Sequence, residues 1–172
     1  MTTTVLSIGS NLGDRSAHLQ SVLDALGAAV RAVSPVYETA AWGGVEQGPF
    51  LNAVVVADDP ARDAHAWLAR AHEIEDAARR VRTQHWGPRT LDVDLVQVRT
   101  DDGEVTVDDD VLTLPHRHAH QRAFVLVPWL AVEPDATLTQ TGSRVAVATL
   151  LAGLKPAERA GVRETDLQLV VR

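Results

Sequence analysis

The sequence predicts an α+β sandwich, and three observations predict it. Apolar residues recur at helical spacing in two blocks, and short extended stretches flank those blocks. The resulting order, β-α-β-β-α-β, occupies the first hundred residues. That is the split-βαβ order of a ferredoxin-like core, an antiparallel sheet flanked by helices.

Val5 to Ile8 reads as a buried strand ending in the turn-rich run Gly9-Ser10-Asn11-Leu12-Gly13-Asp14, which feeds a helix cap. Leu19, Val22, Leu23, Leu26 and Val30 form one apolar face of a helix from about residue 15 to 32. Val33 to Thr39 and Phe50 to Ala57 read as strands joined by a glycine-rich loop, Ala40 to Pro49. A second helix, Ala61 to Arg80, sets Ala64, Trp67, Leu68, Ala71, Ile74 and Ala78 on one side with Glu75 at the edge. After Trp86-Gly87-Pro88, the stretch Leu91 to Val98 begins with strict apolar–acidic alternation, the pattern of a half-buried strand. Asp101-Asp102-Gly103 is a turn, Glu104 to Val107 reads as an edge strand, and Val125 to Val132 and Val145 to Leu154 read as helical.

The length of 172 residues fits a single domain spanning 1–172. A 45% hydrophobic and 23% charged composition is ordinary for a globular protein. The absence of cysteine excludes disulfides, thiolate metal sites and thiol catalysis. The N-terminus has no basic n-region, and no run of about 18 apolar residues occurs, so a cytoplasmic protein without a membrane span is expected. A net charge of -7 opposes a general nucleic-acid or membrane-surface binder. Small-molecule substrates and a monomer are the expectation.

Asp92 and Asp94 are the sharpest chemical feature. Positions i and i+2 of a strand lie about 6.5 Å apart with both carboxylates on one face, a geometry suited to Mg²⁺. A solvated strand face is the plainer alternative. Against it, Arg80, Arg82 and Arg89 converge on the same region. An arginine about 4 Å from a phosphate interacts by roughly 4 kcal/mol before desolvation. Arg79, Arg80 and Arg82 would also complement a helix C-terminus, but Arg89 lies beyond that helix. No P-loop motif or Gly-x-Gly-x-x-Gly spacing occurs. His116, His118 and His120 alternate, which on a strand would invite zinc, whereas one histidine donating to a phosphate asks for less.

The chain resembles the 6-hydroxymethyl-7,8-dihydropterin pyrophosphokinase family in Ser7-Ile-Gly-Ser-Asn-Leu-Gly-Asp14, Phe50-Leu-Asn-Ala53, Arg80-Val-Arg82, Trp86-Gly-Pro-Arg-Thr-Leu-Asp-Val-Asp94, Leu114-Pro-His116 and Arg122-Ala-Phe124. The resemblance runs from about residue 4 to 135, and 137–172 carries no matching motif. It implies transfer of the pyrophosphoryl group of ATP to the pterin hydroxymethyl oxygen, with release of AMP, in folate biosynthesis. Two Mg²⁺ ions are implied on Asp92 and Asp94. Catalytic roles follow for Arg80, Arg82 and Arg89, with ATP contacts at Arg82, Trp86, Arg89, Thr113, His116 and Arg122. Thr39, Ala40, Trp42, Phe50, Asn52 and Phe124 are implied around the pterin. His72, His85 and Arg117 depart from the family pattern, and the role of Glu75 is open.

Two other readings compete. RNA-recognition modules share the element order, but 4% aromatics and an acidic strand face oppose RNA. Another Mg²⁺-dependent nucleotidyl or phosphoryl transferase would use the same Asp-x-Asp pair and differ in its products.

Overall fold

The computed structural model describes residues 1–40, 48–79 and 90–172. The expected order holds in β1 (Thr3–Ser10), α1 (Arg15–Leu26), β2 (Val30–Val33), β3 (Tyr37–Thr39), β4 (Phe50–Asp58), α2 (Ala64–Arg79) and β5 (Asp92–Thr100). Five short strands and two helices follow: β6 (Gly103–Glu104), β7 (Val107–Asp108), β8 (Thr113–Leu114), α3 (Ala123–Val132), β9 (Thr137–Gln140), β10 (Ser143–Ala146) and α4 (Val147–Ala152). The chain finishes with α5 (Pro156–Ala160) and β11 (Arg163–Glu164).

The main sheet runs β11-β3-β4-β1-β5-β6 with β2 also on β4, and its pairings are antiparallel. β4 is inserted between β1 and β2, and β1 between β4 and β5, so both βαβ units are split. This is the expected ferredoxin-like α+β sandwich.

α1 and α2 cover one face, packing Leu19, Leu23, Trp67 and Ile74 on Leu6, Ile8, Val55 and Val93. α3 and α4 cover the other, packing Leu126, Trp129 and Val147 on Val5, Val54, Val56 and Val96. With both faces covered, β1 and β4 are buried almost continuously rather than on alternate residues. The half-buried alternation expected for β5 holds only at its start, because Leu95 to Val98 are all buried. A bulge explains the change: Leu6 pairs Leu95 while Val5 pairs Gln97, so β5 carries one residue more than β1 there. Val96 stays on the α3 face, Val98 moves to the α1–α2 face, and Gln97 donates to the Thr137 carbonyl at 2.8 Å and to Glu104 at 2.9 Å.

Several boundaries differ from expectation. The first helix stops at Leu26, because Gly27 takes φ +54°, and Val30 joins β2 instead of the helix face. The stretch Val33 to Thr39 is two strands, broken at Ser34-Pro35 where proline offers no N–H. There the Ser34 amide donates to the Val54 carbonyl and the Val54 amide to Ser34 Oγ, each at 2.9 Å. The second helix begins at Ala64, with Asp63 Oδ1 accepting from the Ala66 amide at 2.8 Å. Glu104 to Val107 is not one strand, since Glu104 pairs with β5 whereas Val107 pairs with Leu114 in a separate ribbon. Val145 and Ala146 belong to β10, paired with β9, before α4 begins. No described helix is long and apolar enough to cross a membrane.

Candidate active site

The site lies at the end of the sheet where α3 begins. Val5, Ser7 and Gly9 point to one face of β1, and the strand register decides what stands beside them. Ser7 sits between Val54 and Asp94, and Gly9 between Asn52 and Asp92. Val5 and Val54 are covered by α3, whereas Gly9, Asn52, Asp92 and Asp94 line an open cavity of about 850 Å³. Phe50 and Thr39 extend its floor, and Arg122 and Phe124, at the start of α3, form its upper wall.

At the apolar end, buried Asn52 donates through Nδ2 to Thr39 Oγ1 at 2.7 Å. Its Oδ1 then faces Gly9, where an added Cβ would stand 3.0 Å from that oxygen. The bare backbone of Gly9 therefore keeps the floor low enough for a flat ring. Arg122 lies with its guanidinium carbon 5.6 Å from the centre of the Phe124 ring.

At the acidic end, Asp92 and Asp94 offer oxygen donors only. Among the described residues no three His, Cys, Asp or Glu side chains come together as a metal cluster. A carboxylate pair open to a cavity suits Mg²⁺, which keeps several waters and takes further oxygens from a polyphosphate. Behind the pair, the Val93 amide donates to Glu75 Oε2 at 3.0 Å. Burial pushes the Glu75 carboxyl up, the Val93 bond opposes this, and the charges of Asp92 and Asp94 push it up further. Glu75 thus holds the amide of Val93, the residue between the two aspartates.

His116 is tied to the edge of β5 by its amide, which donates to the Val96 carbonyl at 2.9 Å. The His118 amide donates to His116 Nδ1 at 3.1 Å, so the neutral ring carries its proton on Nε2. Burial, with help from Arg122 and His118, lowers its pKa to about 4. The three alternating histidines do not lie on a strand, since Ala119 to Gln121 form a 3₁₀ turn.

The cavity collects Thr39, Ala40, Phe50, Asn52, Asp92, Asp94, Arg122 and Phe124 of the expected residues. It does not include Thr113, on β8, or His116, whose ring centre is 6.3 Å from that of the cavity residue His118. Trp42, Arg80, Arg82, Trp86 and Arg89 lie outside the described residues. In the sequence Ser7 reads only as part of a buried strand and Gly9 as the start of a turn-rich run, because nothing in sequence shows which strands flank β1. Glu158 and Val162 also line the cavity, from a stretch with no motif at all.

A cavity with paired carboxylates at one end and rings beside a fixed amide at the other defines an enzyme domain for small molecules. Residues 5–134 match the model of the 7,8-dihydro-6-hydroxymethylpterin-pyrophosphokinase (HPPK) family, and the chain belongs to that family. It is 58% identical over 168 residues to the 2-amino-4-hydroxy-6-hydroxymethyldihydropteridine pyrophosphokinase of Mycobacterium bovis, covering 95% of this chain and 89% of the relative. The same-named protein of Mycobacterium leprae is 59% identical over 178 residues, with 100% and 93% covered. Two solved structures of wild-type Plasmodium falciparum HPPK-DHPS, with SDX-DHP and with pteroate, match at a TM-score of 0.65 and 12% identity over 88% of this chain. This chain spans 44% of each of those, and the likeness shows the fold.

Proposed function

We propose that this chain transfers the pyrophosphoryl group of ATP to the hydroxymethyl oxygen of 6-hydroxymethyl-7,8-dihydropterin in a Mg²⁺-dependent step of folate biosynthesis. One observation carries the reading: the carboxylate pair and the ring-binding set share one cavity, on either side of Gly9. Two strand spacings put Asp92 and Asn52 about 10 Å apart, a span that a pterin and its hydroxymethyl arm can bridge.

In the reaction the hydroxymethyl oxygen bonds to the β-phosphorus of ATP, the bond from that phosphorus to the α,β-bridging oxygen breaks, and AMP leaves with that oxygen. The hydroxyl proton passes to solvent or buffer. No covalent enzyme intermediate is needed, so the protein acts by positioning and by stabilising charge. Bound Mg²⁺, two ions on Asp92 and Asp94, supplies Lewis-acid charge for the polyphosphate oxygens.

The remaining roles belong to this chain's own groups. Phe50 and Phe124 stack the ring, and Asn52, held by Thr39, reads its amide edge with Ala40 and Trp42 alongside. Arg122 and the Nε2–H of His116 donate to ATP phosphates, with Thr113 near the adenine. Arg80, Arg82 and Arg89 carry transition-state charge, and Trp86 contacts the nucleotide. We read residues 1–172 as a single domain working as a cytoplasmic monomer on small molecules, without nucleic-acid or membrane partners.

The test is incubation with Mg²⁺-ATP and the hydroxymethyl pterin, followed by separation of the nucleotides. AMP formed only in the presence of pterin is expected. ADP would indicate single phosphoryl transfer, and inorganic pyrophosphate with a pterin–AMP adduct would indicate nucleotidyl transfer; either overturns the proposal.

A further inference from the structure

The family match ends at residue 134, yet the chain after it returns to the cavity. Ala157, Glu158, Gly161 and Val162 line it, at the spacing i, i+1, i+4, i+5 that shares one side of a helical turn. α5 supplies the first two, and Gly161, still helical at φ -72° and ψ -12°, extends the turn to Val162. α5 buries no residue of its own, so its position is imposed from its two ends.

Both ends are anchored. Before it, Val147 of α4 is fully buried in the α3 core, and Leu154 packs against that core. After it, β11 pairs antiparallel with β3, Arg163 opposite Glu38 and Glu164 opposite Tyr37. The amide and the hydroxyl of Thr165 both donate to the Val36 carbonyl, at 2.9 and 2.8 Å. Leu169, 8% exposed, enters the core beneath α1, where Gln20 exchanges two hydrogen bonds with the Val170 backbone.

The register fixes what the turn faces. The β11–β3 ladder ends at Arg163 opposite Glu38, which brings the preceding Val162 to the end of β3 where Thr39 is opposite Phe50. Val162, Thr39 and Phe50 all line the cavity. α5 also packs against α3, which carries Phe124. The turn therefore stands at the ring-binding end of the cavity and away from Asp92 and Asp94.

We infer that the 157–162 turn is a third wall of the ring-binding end, and that Val162 and Glu158 determine which heterocycles fit there. This rests on the pterin reading proposed above. Val162 limits the width of the slot beyond Phe50. Glu158 offers a carboxylate that accepts from ring N–H donors and disfavours rings with acidic substituents at that edge.

The experiment measures two affinities on the full chain: hydroxymethyl dihydropterin by its fluorescence, and a non-hydrolysable ATP analogue with Mg²⁺ by calorimetry. Val162→Phe and Glu158→Lys are each expected to weaken pterin binding about tenfold or more while leaving the ATP-analogue affinity within about twofold. Val162→Ala is expected to improve binding of a pterin carrying an added alkyl group relative to the parent pterin. Unchanged pterin affinity in both Val162→Phe and Glu158→Lys overturns the inference. So does equal weakening of both ligands, which would mark a general effect on folding. A wild-type protein that binds no pterin overturns the functional reading itself, a result distinct from either.

Discussion

Asn52 and Asp92 lie in one row across the sheet, each paired to Gly9, on opposite sides of it. A side chain at that point of the middle strand would separate the Asn52 amide from the carboxylate pair.

Gly9→Ala should therefore weaken pterin binding, with some cost to stability as well. Its Cβ would stand 3.0 Å from Asn52 Oδ1, which cannot swing away without losing the bond to Thr39. Crowding of this kind costs on the order of 1–2 kcal/mol, about tenfold in pterin affinity. Calorimetric titration with the pterin checks it, and an unchanged dissociation constant would remove Gly9 from the floor of the site.

Thr39→Val keeps the shape and removes the acceptor for Asn52 Nδ2. Asn52 then loses its fixed orientation, with a buried amide short of a partner. Pterin affinity should fall several-fold while affinity for the ATP analogue holds. Equal losses for both ligands would contradict the assignment of this pair to the ring.

Glu75 acts on the carboxylates from behind. Glu75→Ala frees the Val93 amide and should weaken Mn²⁺ binding, followed by paramagnetic resonance, by about tenfold. Glu75→Gln retains an acceptor and should bind Mn²⁺ nearly as the wild type does. Asp92→Ala and Asp94→Ala should lower turnover by about a hundredfold or more with the fold retained. Near-normal rates in either aspartate variant would refute the metal assignment.

His116 makes stability depend on pH. Its folded pKa of about 4 lies below the ordinary 6.5, so between those values the unfolded chain binds the extra proton. The neutral ring's contribution is complete above about pH 6.5 and is lost as the pH falls towards about 4. Urea unfolding at pH 7 and 5 should show the wild type losing on the order of 1 kcal/mol more than His116→Gln. Equal losses would mean that the ring is solvated.

What could be read from the chain follows from locality. Strict alternation places Asp92 and Asp94 on one face whatever surrounds them, and Leu19, Val22, Leu23 and Leu26 demand a partner for one helix face. The Pro35 break and the Gly27 stop are local too, but they compete with a favourable apolar pattern that hid them.

The sequence by itself determined the element order, the carboxylate pair and, through its motifs, the family to which the chain belongs. Only the tertiary structure decided that Gly9 separates Asn52 from Asp92, that Glu75 reaches the Val93 amide, and that Val162 returns to the cavity lined by Thr39. The physical reason is sequence separation. Strand register, edge pairing and the docking of a helix depend on contacts between segments tens to more than a hundred residues apart, and no local pattern encodes them.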